Sequence, residues 1–132
     1  MGNDGEGVKE RIVAANEKSK VFLEAIKANP GQFEAVRENV RAFVLHRFFL
    51  VEEDPKSEDL GELARLSLSK LSQVNKSGVL QDLSNNCAGV SSETMKKALL
   101  IMTLQKQLGV RFDPEENDRI SQIAHAIVRE LG

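Results

Sequence analysis

Residues 93–109 read Glu93-Thr94-Met95-Lys96-Lys97-Ala98-Leu99-Leu100-Ile101-Met102-Thr103-Leu104-Gln105-Lys106-Gln107-Leu108-Gly109. Met95, Ala98, Leu99, Ile101, Met102, Leu104 and Leu108 recur at steps of three and four, the period of a helix face. Leu, Met, Lys and Gln dominate, and their unbranched stems or γ-branching cost little rotamer freedom in a helix. Gly109 follows the last periodic residue, where a glycine in the left-handed conformation closes a helix. The spacing therefore predicts a helix over 93–108. Ser91 or Ser92 stands where a hydroxyl can accept from a first-turn N–H.

The same period extends outward in both directions. Val8, Ile12, Ala15, Phe22 and Ile26 mark a helix over 8–28, which Asn29-Pro30-Gly31 ends because proline cannot continue the ladder. Phe33, Val36, Val40, Phe43, Val44 and Phe48 mark a second over 32–50. An acidic loop with Pro55 follows, and then Leu60, Leu63, Leu66, Leu68 and Leu71 mark a third helix ending near 75–78. Residues 79–92 mix a short apolar pattern with Asn85-Asn86 and Gly89, and read as a loop with one helical turn. Ile120, Ile123, Ala124, Ile127, Val128 and Leu131 define the last helix, with Asp118 or Ser121 as its cap. Residues 1–7 read as a flexible start and 8–132 as a single helical domain, its first part (8–31) an extra N-terminal helix.

Composition agrees with an all-α chain. At 132 residues with 41% hydrophobic content, one domain can bury roughly two-thirds of its unfolded surface. There is no Trp or Tyr, and six Phe are the only large aromatics, so the density that strands favour is thin. The net charge of −2 comes from 18 basic and 20 acidic residues spread along the chain. That is no footprint for a phosphate backbone, and nucleic acid is not expected as a partner. The apolar runs fall far short of the ~20 residues of a membrane span, and the first residues lack the basic and apolar regions of a signal peptide. Cys87 stands alone, so no disulfide framework is present. A cytoplasmic protein without membrane insertion is expected.

From Ile101 onward the pattern is specific. Ile101-Met102-Thr103-Leu104 is followed, after three polar residues, by Leu108-Gly109-Val110-Arg111-Phe112, then Asp113-Pro114-Glu115-Glu116, then Ile120-Ser121-Gln122-Ile123-Ala124. This resembles the acyl carrier protein family. There a long second helix ends in a Leu/Phe-Gly-Ile/Val pair, and an acidic loop with a short third helix leads into a fourth helix through Ile-Ser/Thr-x-Val/Ile. The resemblance implies a bundle in which Val110 and Phe112 plug the end of a hydrophobic cleft. Residues 36–55 are similar to the family's first helix and acidic loop, and Asp59-Leu60-Gly61 is similar to the Asp-Leu-Gly before the carrier serine. Residues 32–132 would then form the carrier-like bundle, with an insertion at about 61–90.

In that family a serine in Asp-Ser-Leu bears 4′-phosphopantetheine, whose thiol holds an acyl group as a thioester. Counting back from Ile101-Met102 places this position on Glu93-Thr94-Met95. Counting forward from Asp59-Leu60-Gly61 places it near Ala64, with Leu66-Ser67-Leu68 slightly beyond. The resemblance thus nominates Thr94, with Ser92 and Ser91 as neighbouring hydroxyls. It implies acyl-transfer or synthase enzymes as partner proteins. The chain departs from the family in offering a β-branched secondary alcohol, and in carrying Lys96, Lys97 and Lys106 where carriers are acidic.

Other residues read plainly. Ser91, Ser92 and Thr94 suit helix caps, Cys87 a small structural thiol, and Met95, Ile101 and Met102 core. His46 and His125 fall on separate helices, which is no metal or catalytic pair. Of Phe48-Phe49-Leu50-Val51, most should be buried and one can form a docking edge. No nucleophile–base pair, metal spacing or phosphate-cradling glycine loop appears, so a carrier or binding protein is expected rather than an enzyme, with no metal. Two alternatives stand beside the carrier: a carrier-like module without the arm, used for protein binding or regulation, and an unrelated helical bundle.

Overall fold

The computed structural model describes residues 4–74, 93–113 and 117–132. Among them the chain forms five helices and no strand: α1 (Asp4–Ala28), α2 (Phe33–Arg47), α3 (Leu60–Val74), α4 (Glu93–Leu108) and α5 (Ile120–Leu131). The periodic segments of the sequence are these helices. Residues 4–7, expected as a flexible start, belong to α1. The expected loop over 79–92, Cys87 and the Ser91/Ser92 cap lie outside the described residues.

α1 packs on α2, α2 on α5, and α3 on α4, while α1 also touches α4. The core takes Leu23 and Ile26 from α1, and Val36, Val40, Phe43 and Val44 from α2. Leu60, Leu63 and Ala64 come from α3, Leu100, Ile101, Leu104 and Leu108 from α4, and Ile120, Ile123, Ala124 and Ile127 from α5. Burying each Val, Leu, Ile or Phe of this set contributes about 1.5–3 kcal/mol.

Local chemistry fixes the helix ends. α2 stops at Arg47 because Phe49 adopts φ 57°, a left-handed conformation unusual for a bulky residue. Phe49 is held there from two sides. The Lys70 ammonium lies 4.1 Å from its ring centroid and donates to its carbonyl at 2.8 Å, and the Arg11 guanidinium lies 5.6 Å from the same ring. Phe48 and Leu50 on either side are buried, and Val51 is exposed. α4 ends as expected, with Gly109 at φ 70°.

α3 and α5 start together. Asp59 and Arg119 form an antiparallel bridge, in which Leu60 N–H donates to Asp118 O at 2.9 Å and Ile120 N–H to Glu58 O at 3.0 Å. The Asp59 carboxylate then caps α3, accepting from Gly61 N–H at 2.9 Å and Glu62 N–H at 3.2 Å. The Asp-Leu-Gly stretch thus has a structural task of its own. α5 lacks the expected side-chain cap: Arg119 occupies the cap position, and the Ser121 hydroxyl donates to the Glu58 carboxylate instead.

Candidate functional site

α4 decides where chemistry can occur. Sequence period alone makes Met95, Leu99 and Met102 part of one wide apolar stripe with Ile101 and Leu104. The structure divides that stripe between two faces. Leu100, Ile101, Leu104 and Leu108 turn inward and are at most 7% exposed, whereas Met95, Leu99 and Met102 are 51%, 41% and 59% exposed. The expectation that Met95 and Met102 sit in the core is corrected, and it holds for Ile101. α4 packs on α3 and touches α1, and the residues it buries are Leu100, Ile101, Leu104 and Leu108.

Thr94 is the second residue of α4 and is exposed. A hydroxyl there projects from a helix start, where unpaired N–H groups and the helix dipole favour an attached phosphoester. Lys97 stands one turn further on, and Glu93 beside it opposes. Ser92, the other nominated hydroxyl, lies outside the described residues. The competing register fails on burial. Ser67 is fully buried in α3 and donates its hydroxyl to Phe48 O at 2.6 Å, so no group can be attached to it without opening the core. Thr94 therefore fits the phosphopantetheine arm in access, and Ser67 does not.

The hinge after α4 has the packing that the carrier resemblance implies for a plug. Val110 and Phe112 are each 3% exposed, and Phe112 N–H donates to the Gln105 side chain at 2.7 Å. The two histidines stand apart, each against a phenylalanine. His46 lies 4.9 Å from the Phe22 ring and its Nδ1 pairs with Ala42 O, while His125 stacks on Phe33 at 4.2 Å. Among the described residues no group of His, Cys, Asp or Glu can hold a metal ion, and no helix is long and apolar enough to cross a membrane.

A polar cavity of about 280 Å³ that the sequence did not signal lies where α2 meets the acidic loop, lined by Arg37, Glu38, Arg41, Lys56, Glu58 and Ile120. Its charges are matched within the chain. Arg37 bridges Glu34, Glu38 and Glu58, and Arg41 and Lys56 both pair with Asp54. The cluster ties α2 to the loop and to the start of α5 rather than offering a free cation. The Ser121 hydroxyl, and then Arg37, hold the Glu58 carboxyl below its usual range despite partial desolvation. Lys56, and then Arg41, hold Asp54 low. Burial pushes Glu53 up, but the Lys70 ammonium outweighs it and leaves that carboxyl low as well. These pairs stabilise the fold fully above the carboxylates' unfolded pKa values, about 4. Their contribution disappears as pH falls through the lower folded values. Thermal melts from pH 6 downward should lose Tm below about pH 4, and Glu58→Gln should flatten that loss.

No family model matches the chain, and no curated protein or solved structure matches it either.

Proposed function

We propose that this chain is a carrier-like helical protein that bears a phosphopantetheine-linked acyl group on Thr94, or on Ser92 two residues before it in sequence, and presents it to partner enzymes. The observation that carries this reading is the exposed Thr94 hydroxyl in the first turn of α4, on a helix whose far end is closed by Gly109 and the buried Val110 and Phe112. When bound, the arm supplies a thiol that holds the acyl group as a thioester. The residues of the chain supply the rest: a hydroxyl at a helix start, a dipole and Lys97 near the phosphoester, and a rigid bundle behind them. No catalysis by the chain itself is needed.

The test is intact mass after incubation with coenzyme A and a promiscuous phosphopantetheinyl transferase. The expected result is a gain of one arm, mapped by fragmentation to Thr94 or Ser92, with faster loading of Thr94→Ser if Thr94 is the site. An unmodified mass, with an authentic carrier loaded in the same tube, would reject arm attachment. A second reading would then stand: the same fold used without the arm as a protein-binding module. The exposed Leu99 and Met102 on α4 favour that reading.

A further inference from the structure

We draw no further inference here: the strongest candidate, the polar cavity where α2 meets the acidic loop, carries nothing because the Arg37, Arg41 and Lys56 side chains that line it are each paired with a carboxylate of the same chain.

Discussion

Phe112→Ala is expected to lower the free energy of unfolding by about 3–5 kcal/mol, read from urea denaturation. Phe112 is 3% exposed, and the loop that carries it is fixed to α4 through the 2.7 Å bond from its N–H to Gln105. Truncation removes a large buried ring and leaves a void that the hinge can close only in part, because Val110, two residues earlier, is equally buried. Gln105→Ala at the same hinge removes one hydrogen bond to a partly buried N–H, a loss of about 0.5–1.5 kcal/mol. A Phe112→Ala cost below about 1 kcal/mol, typical of a surface site, would contradict the plugged end of the bundle.

The second large effect is a contrast within α4. Leu104→Ala should cost about 2–5 kcal/mol, because Leu104 is fully buried between helices. Leu99→Ala, little more than one turn away, should stay within about 0.5 kcal/mol of the parent, since Leu99 is 41% exposed and alanine is the better helix former. Equilibrium denaturation of the two variants reads the division of the helix directly. Similar costs at both positions would mean that α4 is covered on both sides.

The five helices were legible because local period and punctuation agree along the chain. Asn29-Pro30-Gly31 separates α1 from α2, and Gly109 closes α4 at the residue where the period fails. α2 and α5 have polar outer faces, so their inward sides could be read from spacing alone. α4 could not be read that way. Its apolar residues surround much of the helix, and spacing cannot tell Leu104, which packs, from Met102, which does not. That distinction depends on where α3 and α1 lie, a tertiary fact.

The candidate site was legible in the same partial way. Thr94 at a helix start follows from the boundary of α4, and the structure keeps it exposed. The rejection of Ser67 rests on its contact with Phe48, nineteen residues away in sequence, which no local pattern carries. The bond from Ser121 to Glu58, and the bridge that starts α3 and α5 together, likewise join residues far apart in the chain. Asp59 shows that one short motif has two readings. Asp-Leu-Gly resembles a carrier lead-in, and in the structure the Asp59 carboxylate also caps α3 through Gly61 N–H and Glu62 N–H.

The division of α4 into an inward and an outward side is tested most directly by methyl NMR with a soluble paramagnetic agent. The methyls of Met95, Leu99 and Met102 should broaden strongly, while those of Ile101 and Leu104 remain sharp. Protection of Met102 and Leu99 to the level of Leu104 would show that their side is buried, and would contradict the division of α4.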